Sequence, residues 1–225
     1  ICSMKIELSY TEENYLKAIF SLSVKKESAV STNEIAQKLE TKASSVTDMI
    51  KKLNDKKLVD YKKYQGVSLT DFGRSTAVYI VRNHRLWEVF LVEKLNFSWD
   101  EVHDIAEQLE HVKSEKLTER LEAFLDHPTH DPHGDPIPDE NGNINHESSE
   151  PLFNIEKGST CVLVGVRDSS SLFLQFLDNS NIKLGSEIKV IHKEVFDNSM
   201  TVVVDTLTRS LSSQITKNLF VKEVN

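Results

Sequence analysis

The chain has 225 residues, 39% of them hydrophobic and 28% charged, with a net charge of −8, which allows two or three small domains with ordinary cores. No apolar run approaches the length of a bilayer span, and the start lacks the basic-then-apolar pattern of a secretory signal, so a cytoplasmic protein with no membrane partner is expected. Only Cys2 and Cys161 are present, which excludes a disulfide framework and a Cys-rich zinc module.

A first helix is predicted after Ser9, which with Glu12 has the spacing of a capping box, each side chain satisfying a free N–H of the helix start. Tyr15, Leu16, Ile19 and Phe20 form its apolar stripe, and Asn14 lies on its first turn. A second helix follows Ser31, again with Glu three residues on (Glu34), and buries Ile35, Ala36 and Leu39. The third turns Val46, Met49, Ile50 and Leu53 inward and shows Ser44, Ser45, Thr47, Asp48, Lys51 and Lys52 on its other face. A hairpin comes next, with strands at 58–61 and 67–69 around a turn at 64–66. Two short helices with a tight connection followed by a hairpin describe a winged helix-turn-helix. In that arrangement Lys42, Ser44, Ser45, Thr47 and Asp48 face the major groove, while Lys51, Lys52, Lys62 and Lys63 meet phosphates. Charge agrees with this placement. Residues 1–75 carry 13 Lys+Arg against 10 Asp+Glu, residues 76–150 carry 6 against 17, and residues 151–225 carry 8 of each, so only the head suits double-stranded DNA. The same three-helix pattern serves protein contacts in some chains; outward hydroxyls on a basic-flanked helix favour DNA.

Thr70 is placed to cap a long apolar helix through RNHRLWEVFLVEKL, in which His84 and Glu88 stand one turn apart. Ser98 and Glu101 then suggest another capping box, with a helix from about Trp99 to Lys113. On it His103, Glu107, Glu110 and His111 fall at i, i+4, i+7 and i+8, an arc of about 100°. Val102, Ile105, Ala106 and Leu109 form the neighbouring apolar stripe, so these carboxylates approach the core, where they are costly unless paired or coordinated. Imidazole and carboxylate together suit Mn²⁺, Fe²⁺, Co²⁺ or Zn²⁺. The bland reading is a solvated acidic face, and the upstream His84–Glu88 pair weighs against it. A further helix over 114–126 adds Leu117, Leu121, Phe124 and Leu125, more apolar surface than one small bundle buries, which points to a symmetric dimer. The stretch 127–151, rich in His, Pro, Asp and Asn, reads as a loop or linker; its His127, His130, His133 and His146 invite a metal reading, but scattered His in a Pro-rich loop are more often solvated. Beyond Pro151, runs at 160–167, 187–192, 200–204 and 220–224 are dense in Val and Ile and predict a small barrel of about seventy residues. His192 stands alone there as a structural residue. Nothing resembles a nucleophile elbow or an HExxH helix, so no enzyme is expected.

Set out this way, the chain resembles the diphtheria toxin repressor family of metal-dependent transcriptional repressors. The likeness rests on TEENYLKAIF (11–20), VTDMIKKLNDKKLV (46–59), LTDFGR (69–74), RNHRLWEVFL (82–91), VHDIAEQLEHVKSEKLTERL (102–121), HGDPIP (133–138) and LGSEIKV (184–190), and covers nearly the whole length. It implies a mostly α chain with a C-terminal all-β domain: a winged helix-turn-helix over 4–74, a helical metal-binding and dimerisation domain over 75–150, and an SH3-like, FeoA-like barrel over 151–225. It also implies a primary metal site at Asn14, Glu107, Glu110 and His111. An ancillary site falls on His84, Glu88 and His103, with a barrel ligand near 168–171, where Asp168 is the acid present. Manganese-type members carry Glu at the position of Glu107, where iron-type members carry Cys, and a harder oxygen ligand favours Mn²⁺. They also carry acids at the positions of Asn14 and Lys17, so an amide and a cation here favour two separated sites over a close two-metal cluster. The function implied is a repressor of metal-uptake genes that senses Mn²⁺, with Fe²⁺ as the alternative and Zn²⁺ or Co²⁺ substituting in vitro, bound as a homodimer to a palindromic operator. Its rivals are a regulator that senses an organic ligand around a structural metal, and a metal-dependent hydrolase.

Overall fold

The computed structural model describes residues 7–24, 29–62, 65–139, 142–144 and 148–224. The chain divides into two compact units. One takes the chain as far as His84, with Leu109–Ser114 and Pro138–Asn143; the other comprises Arg85–Gln108, Glu115–Ile137 and Ile144–Asn225. No helix among the described residues is long and apolar enough to cross a membrane.

The first unit opens with α1 (Tyr10–Val24), α2 (Thr32–Lys38) and α3 (Ala43–Asp55), followed by the antiparallel hairpin β1 (Val59–Lys62) and β2 (Gly66–Leu69). Both predicted capping boxes form: the Ser9 N–H donates to Glu12 at 2.7 Å, and Ser31 and Glu34 cap α2 reciprocally. Leu16, Ile19, Ile35, Val46, Ile50 and Leu53 are all fully buried, so the stripes read from the 3.6-residue period meet in one core. Val30 exchanges backbone hydrogen bonds of 2.8 Å with Val67, pinning the segment before α2 to the hairpin. Thr70 caps α4 (Asp71–Leu95), its hydroxyl oxygen accepting the Gly73 N–H at 3.0 Å. Gly73 is required there, because a Cβ would lie 1.8 Å from the Leu58 carbonyl oxygen.

In the second unit, α4 continues from Arg85 and is joined by α5 (Val102–Leu109) and α6 (Glu115–Phe124). Leu86, Val89, Leu121, Leu125 and Ile137 pack together, with Trp87 and Phe90 alongside. Leu95, Leu117 and Phe124 remain 52%, 39% and 63% exposed, the surplus apolar surface that the sequence suggested. The remainder is one antiparallel sheet in the order β3-β8-β4-β5-β6-β7, built from β3 (Glu150–Pro151), β4 (Thr160–Val166), β5 (Glu187–Lys193), β6 (Met200–Val204), β7 (Leu207–Leu211) and β8 (Leu219–Glu223), with helices α7 (Ser171–Asn179) and α8 (Ser213–Thr216). Its core runs from Leu152 through Leu163 and Val190 to Val221.

Three expectations change. The helix expected from Trp99 to Lys113 is shorter at both ends. Ser98 and Glu101 do hydrogen-bond, at 2.7 Å between side chains, but on a turn, because Trp99 and Asp100 are drawn aside to α7: Trp99 Nε1 donates to Asp178 at 3.0 Å and Gln175 donates to Asp100 at 2.7 Å. Helix α7 itself was not foreseen, its apolar residues falling in blocks that mask the helical period. The stretch 127–151 is also not simply a solvated loop. His133 is buried, its carbonyl oxygen accepts the Val166 N–H at 2.9 Å, and Gly134 at φ +87° brings its backbone so close to β4 that a Cβ would sit 2.1 Å from the Val164 oxygen. Only a residue without a side chain permits that approach. His146 lies outside the described residues.

Candidate metal centre

Within the first unit, two turns of α1 face the short segment after α5. Glu110 and His111 stand in that turn rather than on the helix, so the four-residue arc His103–Glu107–Glu110–His111 does not exist as a single helical face. The reason is tertiary: Glu110, 2% exposed, is turned toward cations. Lys17 Nζ lies 2.9 Å from each of its carboxylate oxygens, and His84 Nδ1 is 2.5 Å from Oε2. Burial alone would raise the Glu110 carboxyl; the His84 hydrogen bond and the Lys17 charge outweigh it and hold it below the ordinary glutamate range. His111 is fixed from two sides. Its Nδ1 is 2.5 Å from Glu13 Oε2, whose other oxygen accepts from Lys113 at 2.8 Å, and Tyr10 stacks on the ring at 4.0 Å. That leaves Nε2 directed at Glu110 Oε1, 4.0 Å away, a separation two ligands of one ion can bridge at bonds of about 2.1 Å.

The donor set tests whether a divalent ion fits. Asn14 Oδ1 is buried and has no hydrogen-bond partner, a cost of about 1–3 kcal/mol if nothing else meets it. An amide oxygen, a carboxylate and an imidazole with its other nitrogen on a carboxylate form an O/N set suited to Mn²⁺ or Fe²⁺. The residues therefore fit. Glu13 was missed by sequence reasoning, although it immediately precedes Asn14. Glu107 lies half-buried on α5.

The second unit gathers another group. Glu88, Asp131 and His133 are all buried and offer ligand atoms within 4.8 Å of one another, and His103 Nδ1 approaches Glu88 at 3.3 Å. His84 stands one turn before Glu88 on α4. The His133 Nε2–H donates to the Trp99 carbonyl oxygen at 2.8 Å, while Nδ1 is 3.7 Å from Glu88. Burial pushes the Asp131 carboxyl up, reinforced by Glu88 and Asp135. Burial would lower His133, but Glu88, Asp131 and the Trp99 carbonyl overcome it and raise it. Arg85 Nε lies 3.4 Å from Asp131 and the raised His133 faces Glu88, so the two buried acids are matched by cations here, and an ion bound to Glu88, Asp131 and His133 would take the place of the proton on the imidazole. Of this group the sequence supplied Glu88 and His103; His133 was read as more often solvated than a ligand, and Asp131 carried no signal beyond Gly134, whose backbone closely approaches β4. The Asp168 carboxylate accepts the Ser170 N–H at 2.9 Å, an Asx-type turn.

On the outer face of α3, Ser44, Ser45, Asp48 and Lys51 are exposed, as is Lys42 at the helix start. Thr47 folds its hydroxyl back onto the Ala43 carbonyl at 2.9 Å, and Lys51 pairs with Asp48 at 3.4 Å. Lys52, expected at phosphate, points elsewhere: with Lys56 it meets the buried Glu12 carboxylate, at 3.3 and 2.7 Å. Lys62 is exposed at the end of β1, and Lys63 lies outside the described residues.

Comparison with known proteins gives a consistent result. Residues 7–67 match the iron dependent repressor N-terminal DNA binding domain, residues 70–139 the iron dependent repressor metal binding and dimerisation domain, and residues 150–223 the FeoA domain. The iron-dependent repressor IdeR of Mycobacterium tuberculosis is 34% identical over 132 residues, 59% of this chain and 57% of that protein. The diphtheria toxin repressor of Corynebacterium diphtheriae is 28% identical over 199 residues, 84% and 87% of the two chains. A manganese-dependent transcriptional repressor solved in complex with manganese superposes with a TM-score of 0.86 at 35% identity, covering 95% of this chain and 100% of the other.

Proposed function

Because the chain belongs to the diphtheria toxin repressor family of metal-dependent transcriptional repressors, we propose that it represses metal-uptake genes in response to Mn²⁺, with Fe²⁺ as the alternative ion, by binding a palindromic operator as a homodimer. The observation that carries this reading is the orphaned oxygen of Asn14, in the unit that also holds Glu110 and His111. An ion bound there supplies the positive charge that lets an amide, a carboxylate and an imidazole from separate elements converge. Manganese is favoured because the donors are oxygen and imidazole without thiolate, and the relatives' names carry both manganese and iron.

The chain's own residues do the rest. Asn14 would tie an ion to α1 of the DNA-binding head and Glu110 and His111 would hold it from the segment after α5; Glu107, on α5, is the further donor that the family resemblance implies. Glu13 and Tyr10 keep His111 Nε2 aimed inward. With α1 held, α3 presents Lys42, Ser44, Ser45, Thr47 and Asp48 to base edges, while Lys51 and Lys62 take phosphates. Head, pairing domain and barrel divide at about residues 75 and 150. Glu88, His103, Asp131 and His133, with His84 on the preceding turn, form the ancillary site, and Asp168 is the barrel's donor to it. Homodimers read half-sites at a spacing the ordered heads fix, and loosely held heads lose affinity to the cost of ordering them.

The test is fluorescence anisotropy with a palindromic operator in EDTA and under anaerobic titration with Mn²⁺, Fe²⁺ and Zn²⁺. Operator affinity should rise with Mn²⁺ and lose that response in Glu110→Gln and His111→Ala. Equal affinity in chelator and in Mn²⁺ would sink the proposal.

A further inference from the structure

Glu110 already holds a cation. Lys17 Nζ stands 2.9 Å from Oε1 and 2.9 Å from Oε2, which centres the ammonium on the open edge of the carboxylate, where a chelated ion would sit. The pair is secluded, with the Glu110 side chain at 0% and the Lys17 side chain at 18% exposure. His84 occupies the flank of Oε2 at 2.5 Å and His111 Nε2 stands 4.0 Å from Oε1, while Lys17 is within 2.9 Å of both oxygens. Asn14, one turn earlier on α1, has its oxygen unmet. The clamp thus combines a donor waiting for a partner with a donor that has one.

We propose that Lys17 is a resident competitor that sets the metal threshold of the clamp: a divalent ion gains Glu110 only by displacing the Lys17 ammonium from its carboxylate edge. The inference rests on the repressor reading and adds to it the residue that tunes affinity. An opposite charge at this distance in a shielded site stabilises a carboxylate strongly, and an ion that removes it forfeits that stabilisation. The ammonium is a strongly hydrated point charge on a flexible stem, and with part of its side chain exposed Lys17 can swing to water when displaced. Affinity is thereby held down to a level at which the protein responds to plentiful ion, while the metal-free protein keeps Glu110 neutralised and folded.

Two substitutions push in opposite directions. Lys17→Met removes the competitor and should tighten Mn²⁺ binding by about tenfold or more, the scale on which an opposite charge shifts a carboxylate's equilibrium. It should also lower the melting temperature of the metal-free protein and enlarge the rise that Mn²⁺ produces. Lys17→Arg keeps the ion pair, and hence the fold, but replaces a point charge with a planar fork matched to both oxygens; it should weaken Mn²⁺ binding several-fold. The measurement is calorimetric titration of the full chain with Mn²⁺, the clamp being the component that His111→Ala abolishes. Unchanged or weaker binding in Lys17→Met, or equal or tighter binding in Lys17→Arg, overturns the proposal while leaving the repressor reading intact. A wild-type titration with no component sensitive to His111→Ala overturns both.

Discussion

Replacing Glu12 by Gln tests whether α1 and α3 are joined through a buried charge. Glu12 is 1% exposed, accepts the Ser9 N–H at 2.7 Å and pairs with Lys56 at 2.7 Å and Lys52 at 3.3 Å. Burial alone would raise its carboxyl; Lys56, Ser9 and Lys52 together outweigh that and hold it at about 2, against 4.5 for an ordinary glutamate. A carboxyl displaced so far corresponds to about 3.4 kcal/mol at neutral pH. Lys52 and Lys56 keep 56% and 28% of their side-chain surface in water, and solvent screening reduces this to about 2 kcal/mol. Glu12→Gln preserves the shape and an acceptor for Ser9, so in EDTA it should lower the melting temperature of the full chain by about 4–8 °C. The folded value lies below the unfolded one, so the contribution is complete above the unfolded value and disappears as pH falls toward 2. The gap between wild type and variant should therefore hold from pH 8 to 5, lose roughly a quarter at pH 4 and more than half at pH 3. Equal melting at pH 7, or a gap that does not shrink in acid, refutes the reasoning.

Glu13→Gln removes the carboxylate that orients His111 and should weaken Mn²⁺ binding about 10- to 100-fold, the usual cost of losing such a partner, read as a shift of the Mn²⁺ midpoint in the anisotropy titration. Lys51→Ala should reduce the salt dependence of operator binding by about one phosphate contact. Lys52→Ala should leave that slope unchanged and cost stability instead, since Lys52 meets Glu12; the slopes of log affinity against log salt decide between them. Burial, helped by the nearby Glu223 charge, pushes the Cys161 thiol up to about 11. Cys161 should therefore resist iodoacetamide at pH 8 in the folded protein and react fully once denatured, as mass spectrometry would show.

What the sequence revealed was chiefly what local spacing controls. Ser9–Glu12 and Ser31–Glu34 sit at the fixed separation a helix start demands, and both boxes form. Thr70 caps as expected, and the alternation in VDYK and GVSL yields the antiparallel wing. Errors arose where tertiary contacts overrule local preference. Helix α5 stops at Leu109 because Glu110 has partners on α1 and α4, which no period in the sequence encodes. Glu110 and His111 nonetheless stay together, since neighbours in sequence are adjacent on a helix face and in a turn alike, and both meet α1, through Lys17 and Glu13. His133 was lost to composition: a His among prolines and acids resembles solvated loop, and only Gly134, which must lie against β4, betrays the burial. For Lys52 the sequence does not distinguish partners: an outward lysine on α3 looks the same whether it meets phosphate or a buried acid, and it lies 3.3 Å from the buried Glu12.

The first turns of α1 explain how these parts work as one device inside the head. Successive helix residues point about 100° apart, so Glu12, Glu13 and Asn14 address different neighbours from one rigid segment. Glu12 grips Lys52 and Lys56 at the end of α3 and just beyond it, Glu13 grips His111 and Lys113, and Asn14 presents the unmet oxygen, with Lys17 on Glu110 one turn further. A helix backbone does not stretch between adjacent residues, so whatever fixes Asn14 and Glu13 also fixes Glu12, and with it the helix proposed to enter the major groove. Flexible tethers in place of any of these contacts would let the clamp close without constraining α3. The short side-chain bonds on both sides of α1 are therefore what would convert occupancy of the clamp into the orientation of a DNA-reading surface.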